Sequence, residues 1–182
     1  MNECPYKNFK SKISKFIDVL RKPRQEFGGL PACPFVGPEV EQGRLMIEMF
    51  DPSKNNIIEM VEQFTKSEYD SALFAQITDR QITGEETFQY QSFINKLLKK
   101  AGYDNLKCIC FNPNDAVEID GLNVRKQAPY FLINIADKSV LSKAHKKLLK
   151  TKYFSKMNKE YLDYLHVKEE QVRRTNETRR NY

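Results

Sequence analysis

The sequence contains none of the short motifs that identify common enzyme classes. It has no glycine-rich phosphate loop, no serine-centred nucleophile elbow, no His-Glu-x-x-His zinc motif and no RNA-recognition signature. It also lacks a Cys-x-x-Cys pair, the spacing typical of structural zinc sites. These absences argue against P-loop nucleotide hydrolases, α/β-hydrolases and zinc proteases, and they leave the reaction unspecified.

Long hydrophobic segments are also absent. No run of about 18 apolar residues exists, and the N-terminus lacks the apolar core of a signal peptide. We therefore expect a cytoplasmic protein that does not contact membranes, with its four cysteines reduced. The high lysine and asparagine content is typical of an AT-rich genome, such as a viral one.

The composition nevertheless supports a folded core. Of the 182 residues 40% are hydrophobic, including 12 Phe and 9 Tyr, and no internal repeat is present. A chain of this length buries about 70% of its unfolded surface. The sequence predicts one domain over residues 1–167 and a basic, frayed tail over residues 168–182.

Positive charge is concentrated at the C-terminal end. Residues 138–182 carry 13 lysines or arginines against 5 acidic residues, whereas the rest of the chain has a net charge of −2. Four of these residues, Lys143, Lys146, Lys147 and Lys150, lie on one side of a predicted helix. Such a side is usually solvated, and contact with nucleic acid or an acidic protein is the main alternative.

Strands and helices alternate along the chain, which predicts an α/β fold. The pattern indicates a βαβαβ core in a small mixed sheet, covered by helices, with an N-terminal helix and a C-terminal helical extension. Asp51 is expected to cap the second helix, and Thr83 with Glu86 forms a capping box for the next one. The predicted strands are 45–50, 72–77, 106–111 and 130–135; the predicted helices are 7–21, one containing 57–64, 83–101 and two pieces after residue 139; a hairpin is predicted over 116–126.

Residues 23–43 form the most punctuated segment. They hold four of the seven glycines and four of the eight prolines, which predicts a shaped loop without helix or central strand. Cys33 and Phe35 lie inside it. A thiol and an aromatic ring held in a structured loop are typical of a site.

Polar residues also follow the predicted strands, where ligands bind in open α/β sheets. Arg80 follows the second strand and Asn112, Asn114 and Asp115 follow the third, while Arg125 and Tyr130 precede the fourth, which could be antiparallel. Such groups could hold a small polar molecule or a hard cation. Turn and cap chemistry explains many of them equally well.

Cys33 itself has three interpretations. A nucleophilic thiolate needs a basic partner, and the only histidines are His145 and His166, on the lysine-rich C-terminal helices. A zinc site would combine Cys33 with Cys108 and Cys110, with Cys4 as a fourth thiolate, but the spacing does not favour it. A buried anchor for the loop is the third alternative.

Two segments resemble a family of uncharacterised small bacterial proteins. The turn leading into Cys33-Pro34-Phe35 is similar to its Gly-Leu-Asn-x-Cys-Pro-Phe motif. The segments Phe111-Asn112-Pro113-Asn114 and Ala128-Pro129-Tyr130 are similar to its Phe-His-Pro-Asp and Ser-Pro-Tyr motifs. Asn112, Asn114 and Gln127 replace the family's histidine, aspartate and arginine, so chemistry that needs those groups is in doubt. The resemblance implies a shared fold and pocket, and no reaction.

Taken together, the sequence leaves three hypotheses open. The first is a protein that binds a small polar or anionic molecule, or an enzyme of unknown cofactor that processes one. Cys33 and Asp115 would then be the catalytic candidates, and Phe35, Arg80, Asn112, Asn114, Arg125 and Tyr130 would bind the molecule. The second is a module that contacts nucleic acid or an acidic protein through the basic C-terminal helices. The third is self-association through those helices.

Overall fold

The protein is a small α/β fold built on a mixed sheet. A computed structural model describes residues 8–76, 82–113, 128–157, 159 and 162, together with the backbone of 118–119 and 122–123. The helices are α1 (Phe9–Arg21), α2 (Val36–Glu41), α3 (Ile57–Thr65), α4 (Gly84–Lys100) and α5 (Lys138–Leu149). The strands are β1 (Pro23–Arg24), β2 (Leu30–Pro31), β3 (Leu45–Phe50), β4 (Ser71–Gln76), β5 (Leu106–Phe111), β6 (Glu118–Ile119), β7 (Leu122–Asn123) and β8 (Phe131–Asp137).

Four strands form the central sheet, in the order β3-β4-β8-β5. β3 and β4 are parallel, and β8 is antiparallel to both β4 and β5. β3, β4 and β5 therefore run in one direction, with β8 inserted between the last two. Their carboxyl ends and the start of β8 meet at the same edge of the sheet, which we call the carboxyl edge. The predicted mixed sheet is confirmed, including the antiparallel fourth strand.

One face of the sheet is covered by α3 and α4, which form the larger core. Alternation along β5 directs Leu106, Cys108 and Cys110 into this core. α4 begins at the predicted capping box, because the Thr83 side chain accepts from Glu86 N–H and the Glu86 side chain accepts from Thr83 N–H. On its apolar side, Ile94 and Leu98 are fully buried against the strands.

The opposite face is covered by α1, by the segment 23–43 and by α5. Phe9, Ile13, Phe16 and Ile17 of α1 pack at helical spacing against Leu73 and Leu132 of the sheet, and other members of the cluster. A further apolar cluster joins the loop residue Phe27 to Leu148 of α5 and to the turn after it. This face contains the candidate site described below.

Segment 23–43 is more regular than the glycine and proline pattern predicts. It contains the β1-β2 pair, a 3-10 turn over Gln25–Phe27 and the helix α2. The prediction that no helix could form here is wrong, because Pro38 lies in the first turn of α2, where its missing N–H is tolerated.

The start of α3 also differs from the prediction. Its N-cap is Asn56, whose side chain accepts from the Ile58 N–H at 2.9 Å. Asp51 instead closes the turn after β3, where it accepts hydrogen bonds from the N–H and the hydroxyl of Ser53. Asn56 is the residue next to the first helical position, which is where a side chain can reach the free N–H groups.

The remaining boundaries differ little from the predicted ones. β4 and β8 are displaced from the predicted strands by one or two residues, and β6 pairs with β7 as the predicted hairpin. The turn of that hairpin and the boundary predicted at residue 167 lie outside the described residues. No helix in the described part of the chain is both long and apolar enough to cross a lipid bilayer.

Candidate functional site

A cavity of about 240 Å³ lies between the sheet and the layer formed by α1, segment 23–43 and α5. Its floor consists of residues from all four central strands, and its walls are mainly aliphatic and aromatic side chains. The walls include Phe16, Ile17 and Leu20 of α1, Val140, Leu141 and Leu148 of α5, and Tyr153 and Phe154 of the following turn. The arrangement has the character of a small-ligand pocket, in which an apolar lining holds a few polar groups.

Asn134 is the polar residue at the centre of the cavity floor. It lies on β8, which has a strand on either side, and yet it is only partly buried because it faces the cavity. Its amide nitrogen donates to the Ala72 carbonyl at 3.2 Å. Among the described residues, none donates a hydrogen bond to its Oδ1 atom, so that acceptor is available to a ligand.

Glu39 and Ser71 form a second polar group on the cavity wall. The Ser71 hydroxyl donates to Glu39 Oε2 at 2.8 Å, which joins α2 to the start of β4. Burial raises the pKa of the Glu39 carboxyl, and the hydrogen bond from Ser71 opposes that effect. Ser71 lies opposite Ala136 and Leu73 lies opposite Asn134, so Ser71 and Asn134 are diagonal neighbours about 7–8 Å apart on the same face.

Cys33 and Phe35 both line this cavity, as the loop hypothesis requires. The Cys33 N–H donates to the Leu20 carbonyl at 3.1 Å, which fixes the loop against the end of α1. Burial raises the pKa of the Cys33 thiol, and therefore the neutral thiol is favoured over a nucleophilic thiolate.

The zinc interpretation is not supported by the positions of the cysteines. Cys108 and Cys110 are buried in the core under α3 and α4, whereas Cys33 packs with α1 on the other side of the sheet. No group of three or more histidine, cysteine or acidic residues with metal-binding geometry occurs in the described part of the chain.

The carboxyl edge contributes less than the sequence indicates. Phe111 and Ala128 line the cavity together with the Cys33 loop, so these segments do meet. Asn112 points to the opposite face, where its amide donates to the Ile82 carbonyl and to Thr87 Oγ1. Tyr130 packs on Phe9, with ring centroids 5.7 Å apart, and does not line the cavity.

Several predicted site residues cannot be placed in this geometry. Arg80, Asn114, Asp115 and Arg125 lie outside the described residues. At the end of β3, Asp51 accepts hydrogen bonds from Lys54 and Ser53 as a residue of the turn. These hydrogen bonds lower the pKa of Asp51 to about 2. For its charged residues, the site predicted at the carboxyl edge therefore stays a prediction.

The central polar residues of the cavity were missed by the sequence reasoning. Asn134 interrupts the otherwise apolar strand Phe131–Asp137, and an amide inside a buried strand was a usable signal. Glu39 and Ser71 carried no signal, because they are 32 residues apart and meet only through the packing of α2 on the sheet.

The lysines of α5 form a separate exposed surface. Lys143, Lys146, Lys147 and Lys150 are all exposed, as the helical spacing predicts. None of the ion pairs among the described residues involves Lys143, Lys146 or Lys147. The positive charge of these three side chains is therefore not neutralised within the described part of the molecule.

Comparison of the chain with protein-family models, with curated proteins and with solved structures found no match. The resemblance to the bacterial family with the Cys-Pro-Phe loop stays a prediction. The cavity and its lining therefore carry the functional argument.

Proposed function

We propose that this protein binds a small, largely apolar molecule that carries one hydrogen-bond donor, in the cavity beneath the Cys33 loop. The observation that carries the proposal is Asn134, a polar side chain that faces a mainly apolar cavity from the middle of the sheet. A cavity of about 150 Å³ holds benzene, so one of 240 Å³ accommodates roughly ten non-hydrogen atoms.

The polar groups define where the donor of the ligand would lie. The Oδ1 atom of Asn134 and the Oε1 atom of Glu39 are acceptors that receive no hydrogen bond from the described residues. A ligand hydroxyl or amine N–H would satisfy one of them, and the rest of the ligand would contact the apolar walls. A buried polar group left without a partner is costly, which makes the donor a requirement for tight binding.

The lining supports this ligand class over the small polar or anionic molecule expected from the sequence. An anion would lie beside the Glu39 carboxyl, and the described cavity wall contains no lysine or arginine, with His145 as its one basic side chain. The predicted cation for such a ligand, Arg125, lies outside the described residues. Binding of an anion at the carboxyl edge is therefore a separate prediction that depends on that arginine.

The test uses 4-propylphenol and its isostere 4-propyltoluene, which differ only in a hydroxyl and a methyl group. Each is titrated into ¹⁵N-labelled protein and followed by chemical-shift changes. At about 0.5 kcal/mol per non-hydrogen atom, the phenol should bind with a Kd on the order of 0.1–1 mM. 4-Propyltoluene should bind about tenfold more weakly. The chemical-shift changes that either compound causes should be confined to residues that line the cavity.

Variants identify the acceptor. Asn134→Leu and Glu39→Leu are tested singly and together. The variant that removes the acceptor should lose the preference for 4-propylphenol and should still bind 4-propyltoluene. Val140→Phe should reduce the affinity for both compounds, since it fills space inside the cavity. The proposal is overturned if neither compound shifts the cavity residues, or if the phenol remains preferred in the double variant.

A second candidate function is contact with a polyanion through the exposed lysines of α5. The observation that favours it is the absence of any described ion pair at Lys143, Lys146 and Lys147. Affinity for single-stranded nucleic acid should then fall steeply with salt, and replacing the three lysines by glutamine should flatten that slope by about 0.7 per lost phosphate contact. A salt-independent affinity would contradict it.

A further inference from the structure

The two edge strands of the central sheet, β5 and β3, differ in the hydrogen bonding of their outward backbone groups. At the β5 edge, side chains of α4 bind the backbone groups that point outward. Asn95 accepts from the Cys108 N–H at 3.0 Å and donates to the Cys108 carbonyl at 3.1 Å, and Gln91 accepts from the Cys110 N–H at 2.9 Å. These amides take the place of a neighbouring strand, so the β5 edge cannot be extended.

The described part of the chain gives the β3 edge no equivalent cover. The Arg44 carbonyl accepts from Asp70 and Ser71, which shows that even-numbered residues of this strand direct their backbone groups toward β4. Leu45, Ile47 and Met49 therefore direct theirs outward. No described residue makes a hydrogen bond to these outward groups, and the strand contains neither a proline nor a lysine to discourage pairing.

The side chains of β3 are self-complementary. Leu45, Met46, Ile47 and Met49 are partly exposed apolar residues, and the charged residues within positions 44–50 are Arg44 and Glu48. Arg44 and Glu48 are four positions apart, so they lie on the same face of the strand. In an antiparallel pair of two such strands with Met46 opposite Met46, Arg44 of each copy lies opposite Glu48 of the other. Opposite charges facing each other across strands are stabilising.

We propose that two copies of this chain associate through β3, antiparallel about a two-fold axis at Met46, to form a continuous eight-stranded sheet. The partner is a second copy because a two-fold axis satisfies both Arg44–Glu48 pairs at once, which an unrelated strand would do only by coincidence. Arg44 already binds Asp70 at 3.0 Å through one nitrogen, and its guanidinium has further donors for Glu48 of the other copy. Of the described residues that line the cavity, this interface uses Leu45 alone, through its outward backbone groups.

Charge-reversal variants test the register. Glu48→Arg places two arginines opposite each other, and Arg44→Glu places two glutamates opposite each other, so each variant alone should dimerise at least tenfold more weakly than the natural chain. An equimolar mixture of the two should recover a heterodimer, because every opposed pair is then of opposite sign. Sedimentation equilibrium from 1 to 200 μM measures all four samples. Glu59→Arg, the same charge change at an exposed position of α3, is the matched control and should dimerise like the natural chain.

Hydrogen exchange gives a readout that does not depend on the variants folding. The amides of Leu45, Ile47 and Met49 should exchange more slowly at 200 μM than at 1 μM, whereas the amides of Cys108 and Cys110 should be protected equally at both. A natural chain that stays monomeric at 200 μM overturns the proposal. So does a dimer that both single variants form as well as the natural chain, since the interface must then lie elsewhere.

Discussion

At the scale of single residues, burial decides what each polar side chain does. Asn112 and Asn134 are both asparagines at or near the sheet, and the sequence indicated only Asn112 as a binding residue. Asn112 is fully buried and bound to Thr87 and to the Ile82 carbonyl, so it holds α4 against β5. Asn134 keeps an acceptor directed at the cavity. Hydrogen-bond partners distinguish a structural amide from a candidate binding amide.

Glu39 gives a prediction about pH at this scale. Because its pKa is raised in the folded state, the folded protein holds this proton more tightly than the unfolded chain does. That contribution to stability is present below the ordinary value near 4.5 and is lost as the pH rises through the raised pKa. Relative to Glu39→Gln, the natural protein should therefore lose free energy of unfolding as the pH rises from 4 to 8.

Urea denaturation of both proteins at several pH values measures this difference. Ser71→Ala is the informative companion variant, because the Ser71 hydroxyl lowers the Glu39 pKa and its removal should extend the loss to higher pH. A pH-independent difference between the natural protein and Glu39→Gln would contradict the prediction.

At the scale of elements, side chains of one element complete the hydrogen bonding of another. α4 is amphipathic by its sequence, and that property alone explains its packing on the sheet. Its amides Gln91 and Asn95 add a second role, since they bind the free backbone edge of β5. The helix thus both covers one face of the sheet and closes one edge.

Asn95→Leu should destabilise the fold by about 1–3 kcal/mol, because it leaves the outward N–H and carbonyl of Cys108 without partners. Lys96→Leu is the control, with the same new side chain at an exposed position of the same helix. The free energy of unfolding from urea titrations of the two variants decides the matter. Equal stability of the two variants would mean that the amide does not support the strand edge.

At the scale of the whole molecule, a turn near the C-terminal end of the described chain contacts a segment near its N-terminal end. The turn after α5 packs on segment 23–43, where the Tyr153 hydroxyl donates to the Ala32 carbonyl and the Tyr153 ring stacks on Phe27 at 5.1 Å. Gly28 permits this contact. A Cβ added there would lie 2.7 Å from the Lys152 carbonyl oxygen, and the residue has a φ of +65°.

The variants Gly28→Ala and Gly29→Ala distinguish the cost of backbone strain from the cost of displacing Lys152. Both glycines have positive φ, so either substitution should cost about 1–2 kcal/mol of backbone strain. Only Gly28→Ala also forces Lys152 away, since nothing lies within 4 Å of a Cβ at Gly29. We expect Gly28→Ala to be less stable by a further 1–3 kcal/mol or so in urea denaturation. Equal losses of stability in the two variants would show that the turn after α5 does not pack tightly against segment 23–43.

The sequence by itself determined the strands of the central sheet and most of the helices that cover it. Short apolar runs predicted β3 and β5 closely, and the 3.6 period with the capping box predicted α4, because these patterns reflect which residues of each element are buried. It also placed Cys33 and Phe35 in a structured loop beside the sheet. It did not predict α2, because the glycine and proline content concealed a short helix whose proline lies in the first turn.

Only the tertiary structure decided where the cavity lies and which residues line it. Glu39, Ser71 and Asn134 come from α2, β4 and β8, and they meet because β8 inserts between β4 and β5 while α2 packs across the strands. The same packing turned Asn112 away from the site and left the outward backbone groups of β3 without hydrogen-bond partners among the described residues. Local patterns record whether a residue is buried, whereas the choice of neighbour depends on contacts between segments distant in the chain.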